Sequence, residues 1–277
     1  LFRPQMNMAR LARSAARLAL PAFGEDELLE CIRELLRVDD AWIPNARGYS
    51  LYLRPFIFGS TPFLGVGPSS DTRLMVLLSP VGPYFPKGRS AVSLLIDETN
   101  VRAAVGGAGA YKLAGNYAPT ISPQKRAAQF GADQCLYAYR GNVSEGGAMN
   151  VFFLLENGRA KGGKELVTAP LDGTILPGVT RDSILSLARQ WGEFEVSERQ
   201  LSVVELEQAQ REGRIMETFG SGTAAVIIPV HALVRESGER WAMPEVAPED
   251  SIGTRLKQAI EAIQYGEVES PWSMLVD

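Results

Sequence analysis

A mixed α/β fold in two domains is what this sequence predicts, on three observations. Two amphipathic helical runs precede two strand-like runs in the first part of the chain, and strand-like apolar runs alternate with helical ones in the rest. A stretch dense in proline and glycine, Ser79 to Arg89, interrupts that alternation in the way a linker does. At 277 residues the chain is long enough for two domains, each with a core of its own. The expected division is a small α/β domain over 1–79, a connecting loop over 80–89 and a larger domain over 90–277.

Taken in order, Asn7 to Leu20 carries apolar residues at helical spacing and stops at Pro21. Glu25 to Val38 reads as a second amphipathic helix, with Leu28, Leu29, Ile32, Leu35 and Leu36 on one face. Ser50 to Gly59 is strand-like between two glycines, and Arg73 to Ser79 is a short apolar strand. Beyond the loop, strands are expected at Ala91–Ile96, Gln134–Tyr139, Met149–Leu155 and Ala225–Val230. Helices are expected at Ala118–Phe130, Arg181–Gln190, Ser202–Gln210 and Ser251–Tyr265. Asn157 to Lys164, with Lys161-Gly-Gly-Lys inside it, reads as a polar hairpin tip.

Composition narrows the function classes. The chain is 45% hydrophobic and 22% charged, ordinary for a globular protein, and no apolar stretch approaches the ~20 residues of a membrane span. Net charge is −4 with no basic run, so nucleic acid and anionic membrane are not expected partners. Cys31 and Cys135 have neither metal-like nor Cys-x-x-Cys spacing and read as buried free thiols. His231 is the only histidine and reads as an exposed loop residue. A histidine triad or a multi-histidine metal site would have to rest on it alone, so no metal is expected.

The chemistry is concentrated between Arg102 and Phe152. Gly106 to Tyr117 reads Gly-Gly-Ala-Gly-Ala-Tyr-Lys-Leu-Ala-Gly-Asn-Tyr, and Ser144 to Phe152 reads Ser-Glu-Gly-Gly-Ala-Met-Asn-Val-Phe. A lysine amine on a glycine-bounded segment can form a Schiff base with an aldehyde. A carboxylate at the start of an apolar strand, here Glu145, can keep a pyridinium nitrogen protonated so that the ring withdraws electrons. The Tyr117 phenol can hydrogen-bond a ring oxygen. Lys112, Tyr117 and Glu145 are thus the parts a pyridoxal 5'-phosphate enzyme needs. Two later segments can cradle its phosphate. Leu171 to Arg181 reads Leu-Asp-Gly-Thr-Ile-Leu-Pro-Gly-Val-Thr-Arg before a helical run, which places amides and Thr180 at a helix start. Phe219 to Pro229 opens Phe-Gly-Ser-Gly-Thr, where glycines allow close backbone approach and Thr223 adds a hydroxyl.

These segments, together with Leu1-Phe-Arg-Pro-Gln-Met-Asn-Met, Tyr49-Ser-Leu-Tyr-Leu-Arg-Pro, Leu78-Ser-Pro-Val-Gly-Pro-Tyr-Phe, Gln190-Trp-Gly-Glu-Phe and Ile263-Gln-Tyr-Gly, resemble the branched-chain amino acid aminotransferases, fold type IV pyridoxal phosphate enzymes. The resemblance covers nearly the whole chain. It implies a small α/β domain joined by a loop to a larger pseudo-barrel domain, and transamination between leucine, isoleucine or valine and 2-oxoglutarate. It implies a homodimer, in the cytoplasm or the mitochondrion. It implies Lys112 as the catalytic lysine, with Tyr117, Glu145, Leu176, Val179, Thr180, Thr223 and Arg102 around the cofactor. Tyr52, Arg54 and the Ala224 backbone N–H would face the substrate. Where mammalian members carry a Cys-x-x-Cys pair, this chain has Ala225 and Ile228. The opening at Leu1 reads as a cut, ahead of which relatives carry an arginine for the phosphate; low cofactor occupancy is therefore expected for these residues alone.

Each residue also has a plainer role. Lys112 could be a surface lysine, Glu145 a solvated carboxylate, Tyr117 a half-buried core residue and Arg102 a salt-bridge partner at a strand end. Thr180 and Thr223 could be cap or turn residues, Leu176 loop packing, and Tyr52 with Arg54 the polar face of an edge strand. Two other functions stay open: a related type IV enzyme (a D-amino acid aminotransferase or aminodeoxychorismate lyase), or a truncated, inactive subunit that acts as an interaction partner.

Overall fold

The structure is a computed structural model and describes residues 1–83 and 90–276. Contacts between Cα atoms divide the chain into two compact units, 1–88 with 263–277, and 89–262. The expected linker over 80–89 falls largely on residues 84–89, outside the described residues; Pro80 and Val81 belong to a strand.

In the first unit, α1 (Pro4–Arg17) begins with proline at its first position, where the missing N–H costs nothing. It starts three residues before the expected Asn7 and ends before Leu20, because Ala19 turns into the left-handed region at φ 51°. α2 (Glu25–Val38) has the predicted bounds, with Glu25, Asp26 and Glu27 favourably placed in its first turn. β1 (Ser50–Gly59) and β2 (Thr72–Val81) pair antiparallel, with Leu53 opposite Leu78. Met8, Leu28, Leu29, Ile32 and Leu36 form the core, and Leu51, Leu53, Val76 and Leu78 pack against it. Alternation along β1 sends Tyr52, Arg54, Phe56 and Phe58 to the opposite face. Residues 263–277 join this unit, not the one expected, through main-chain pairing. Arg3 N–H donates to Trp272 O at 2.6 Å and Met274 N–H to Leu1 O at 2.8 Å. The Arg3 guanidinium also lies 4.5 Å from the Trp272 ring centroid.

The second unit is built from β3 (Val92–Asp97), α3 (Ile121–Gln129), β4 (Gln134–Tyr139), β5 (Asn142–Gly146), β6 (Asn150–Glu156), β7 (Lys164–Thr168), α4 (Val179–Trp191), β8 (Glu195–Glu198), α5 (Val203–Arg211), β9 (Ile215–Gly222), β10 (Val226–Val234), β11 (Arg240–Ala242) and α6 (Ile252–Gln264), whose end marks the division. The strands form one sheet in the order β5-β4-β3-β10-β9-β6-β7-β8, with β11 on β10. β3 runs parallel to β4 and β10, and β7 parallel to β8; the other pairs are antiparallel. Four strands stand between β5 and β6 in this order, yet only Gly147 to Met149 separate them in the chain. Gly146 N–H donates to Met149 O at 2.9 Å. The sheet must therefore curl until β5 returns beside β6, which gives the pseudo-barrel form.

β3 and β6 read as continuous apolar runs because both of their faces are buried. Strands β5, β7, β8, β9 and β11 were not expected from the sequence. β5 is short and polar, and β9 contains Glu217 and two glycines. Glu217 is buried there because it accepts the Ile252 and Gly253 N–H groups and the Ser251 hydroxyl at the start of α6. Two smaller expectations change. Cys31 is exposed, since it falls on the outer side of α2, while Cys135 is buried as expected. His231 is exposed but lies on β10, which extends to Val234, with its Nε2 3.1 Å from the Arg240 guanidinium.

Candidate active site

The centre of the site is made by the hairpin of β4 and β5. Its two-residue turn, Arg140 (φ 52°) and Gly141 (φ 76°), matches strand twist as primed turns do. Further along, Leu136 pairs Gly146 while Ala138 pairs Val143. Ser144 and Glu145 therefore oppose the single residue Tyr137, which is a β-bulge. The bulge is held by Ser144 Oγ donating to Tyr137 O at 2.9 Å, and it re-aims Glu145. The sequence reading set this carboxylate at the start of the following strand. The structure gives it a strand of its own, and β6 begins five residues later.

Glu145 is 2% exposed. Its Oε1 accepts the Leu176 N–H at 3.0 Å and pairs with the buried Arg102 guanidinium; its Oε2 accepts from Asn150 Nδ2 at 3.1 Å. Burial pushes the carboxyl up to about 8, against the pull of Arg102, the Leu176 amide, Lys112 and Arg181. Arg102 sits in the loop after β3, not at the strand end. It is an ion-pair partner of Glu145, and its Cζ lies 5.5 Å from the Tyr117 ring centroid.

Lys112 occupies the loop between β3 and α3. Its Nζ donates to the Tyr117 hydroxyl at 3.2 Å and lies 5.3 Å from that ring's centroid. Asn116 holds the loop, its Nδ2 donating to Ala108 O at 2.7 Å and Tyr111 O at 2.8 Å. Gly109 is needed for close approach, since a Cβ there would lie 2.4 Å from Gly173 O. The lysine loop thus packs directly on the loop that carries Leu176.

That second loop is shaped by Asp172, which accepts from the Thr174 N–H and hydroxyl. It leads through Leu176, Pro177 and Gly178 into α4. Gly178 supplies no capping side chain, and the first helical bond is Asp182 N–H to Gly178 O. The amides of Val179 and Thr180 therefore have no intrahelical partner, which makes the helix start an anion cradle. Thr223 and Ala224 lie exposed in the three-residue turn between β9 and β10. Just before it, Ser221 pairs with Asn150 across β9 and β6. Ser221 is 2% exposed, and its Oγ has no hydrogen-bond partner among the described residues.

Through these contacts Lys112, Tyr117, Arg102, Glu145 and Leu176 form one connected set, with Val179 and Thr180 next along the chain and the Thr223 turn one step beyond the Asn150–Ser221 pair. Asn150, Asn116 and Ser221 were missed by the sequence reading. Asn150 stands in the quoted Met-Asn-Val-Phe run, but nothing in a lone asparagine announces hydrogen bonds to both Glu145 and Leu176. Tyr52 and Arg54 belong to the first unit, with the Arg54 Cζ 5.5 Å from the Tyr52 ring centroid. The second-unit residues fit a phosphate-bearing pyridine aldehyde: an amine, a buried carboxylate that burial leaves short of positive charge, an uncapped helix start and a buried hydroxyl in want of a partner.

Residues 1–233 match the family described as amino-transferase class IV. The chain is 48% identical over 280 residues to the branched-chain-amino-acid aminotransferase of Dictyostelium discoideum, covering 100% of this chain and 73% of the relative. Among solved structures, the Escherichia coli branched-chain amino acid aminotransferase superposes with a TM-score of 0.80 at 29% identity, covering 100% of this chain and 84% of that one. The branched-chain amino acid aminotransferase of Thermobaculum terrenum, solved in its PLP form, shares the fold with a TM-score of 0.71 at 23% identity, over 96% of this chain and 80% of the other. The curled sheet is that of fold type IV, and the chain belongs to the class IV aminotransferases and, among them, to the branched-chain-amino-acid aminotransferases.

Proposed function

We propose that this chain transfers the amino group of leucine, isoleucine or valine to 2-oxoglutarate, with pyridoxal 5'-phosphate as cofactor and Lys112 as catalytic residue. The observation that carries the reading is the connected set from the Lys112 amine through Tyr117 and Arg102 to the buried Glu145. The relatives' names favour branched-chain substrates over those of a D-amino acid aminotransferase or aminodeoxychorismate lyase.

Bound pyridoxal phosphate would supply an aldehyde for the amino group and a ring that withdraws electrons from it. Lys112 Nζ would hold the cofactor and then, once displaced by substrate, move the proton at the substrate α-carbon. Tyr117, 3.2 Å away, orients that amine. Glu145 would face the ring nitrogen as its counter-charge, with Arg102 and the Leu176 amide fixing the carboxylate, and the Leu176 side chain would pack on the ring. The phosphate would take the Val179 and Thr180 amides with the hydroxyls of Thr180 and Thr223. Ala224 N–H, Tyr52 and Arg54 are proposed as substrate residues, the last two because a phenol and a guanidinium share one open strand face. The working form is proposed to be a homodimer, as family membership supports.

The test is glutamate formation from 2-oxoglutarate with a panel of amino donors after incubation with pyridoxal phosphate. Activity with L-leucine, L-isoleucine and L-valine is expected. Activity confined to D-amino acids, or no cofactor uptake at all, would contradict the reading.

A further inference from the structure

Asn150 is 5% exposed and opens β6. Its two amide protons go to different parts of the site: Nδ2 donates to Glu145 Oε2 at 3.1 Å and to Leu176 O at 2.9 Å. Its Oδ1 lies against Gly178, where a Cβ would come within 2.3 Å of it. One side chain therefore touches the bulged strand that carries the carboxylate, the loop whose N–H reaches the same carboxylate, and the residue immediately before α4. The contacts form a closed ring, Glu145 Oε1 to Leu176 N–H, along Leu176 to its carbonyl, and through the Asn150 amide back to Glu145 Oε2.

We propose that Asn150 is a positioning residue that fixes the direction of the Glu145 carboxylate and ties it to the start of α4. The inference rests on the functional reading above. The two ends of the proposed cofactor site, carboxylate and helix start, are then set in register by a single amide. An amide suits the task because both of its donors are used and it adds no charge beside Glu145. An aspartate would place an acceptor against an acceptor. A leucine would keep the volume and lose both bonds.

The experiment compares wild type with Asn150→Leu, which keeps the shape, and Gly178→Ala, which pushes the amide aside from the other end. Each is loaded with pyridoxal phosphate labelled with 15N in the ring. Two readouts are taken: the ring-nitrogen resonance, which reports the proton held there, and kcat and KM with leucine. Both variants should move the resonance towards that of the unprotonated ring. Asn150→Leu should lower kcat about 10- to 100-fold, the size of one hydrogen bond to a charged group. KM should stay within about twofold, as expected when the interaction lost acts on the chemical step. A loss of kcat with an unmoved resonance would make Asn150 a merely structural residue and overturn the inference. Wild-type values in both readouts would do the same. Should Asn150→Leu fail to fold, Gly178→Ala decides by the same two readouts. A wild-type chain that takes up no pyridoxal phosphate overturns the functional reading and this inference together; normal uptake with unaltered variants overturns this inference alone.

Discussion

Two glutamates on the same sheet, Glu145 on β5 and Glu165 on β7, are both buried and both face an arginine, yet their carboxyls shift in opposite directions. Glu165 is 4% exposed and accepts from Arg199 Nε at 2.7 Å and Nη2 at 3.0 Å, with Asn157 adding a third bond at 3.2 Å. These bonds, the Arg199 pair first, pull it down to about 2. The Arg199 side chain is still 35% exposed, so the pair forms without fully dehydrating the cation. Glu145 has Arg102 on one oxygen only, and that arginine is itself buried. There desolvation wins, and the carboxyl is pushed up to about 8. The comparison separates a charge the fold has satisfied from one it has left short. The first is part of the framework joining β7 to α5; the second is a place that gains from an added cation, as a protonated ring nitrogen would be.

The sharpest way to break the functional half of this comparison is at the amine. Lys112→Ala should lower transamination by on the order of 10²–10⁴-fold from the lost proton transfer alone, while the melting temperature holds. Stopped-flow or steady-state rates after cofactor loading check this.

Exchanging the two glutamates in turn sharpens it. Glu145→Gln should lower kcat about 100- to 1,000-fold, because a neutral amide cannot act as counter-charge where charge develops. Glu165→Gln should leave kcat alone and destabilise the fold by about 1–3 kcal/mol, because Arg199 loses a charged acceptor. Rates and urea unfolding on both variants decide; equal effects on activity would dissolve the distinction.

The two sites should also answer pH with opposite sign. Glu165 has a depressed folded value, so its contribution to stability is present above the unfolded value of 4.5 and is lost as pH falls towards 2. Glu145 has a raised folded value, so the cofactor-free protein binds more protons folded than unfolded between 4.5 and about 8, and stability falls as pH rises through that window. Unfolding free energies across pH 4 to 9 should show the falling slope in wild type and lose it in Glu145→Gln.

The smallest effect is expected at the edge of the site. Thr223→Val should weaken cofactor affinity about 10-fold through one hydroxyl to the phosphate, with kcat recovered by excess pyridoxal phosphate. Fluorescence titration measures it, and unchanged affinity would remove Thr223 from the cradle.

Residue types and local spacing carried much of this into the sequence. α2, β1 and β4 have the bounds their periodicity predicts, and the Lys112 and Glu145 segments singled out in one dimension are joined in the fold through Tyr117 and Arg102. What stayed hidden depends on pairing between distant residues. The bulge that aims Glu145 exists only when β4 lies beside β5, and β9 hides Glu217 until α6 needs its acceptors. Asn150 has no signal outside the two contacts it makes in three dimensions. The grouping of residues 263–277 with the first unit likewise rests on a main-chain bridge between Phe2 and Ser273 that no composition shift marks.

The central claim, that Lys112 is the amine of a pyridoxal phosphate site completed by Glu145, is tested most directly by borohydride reduction of the protein after incubation with pyridoxal phosphate, followed by peptide mapping. The account predicts a reduced pyridoxyl group on Lys112, absent from Lys112→Ala and retained in Glu145→Gln. A label on another lysine, or none in wild type, would contradict it.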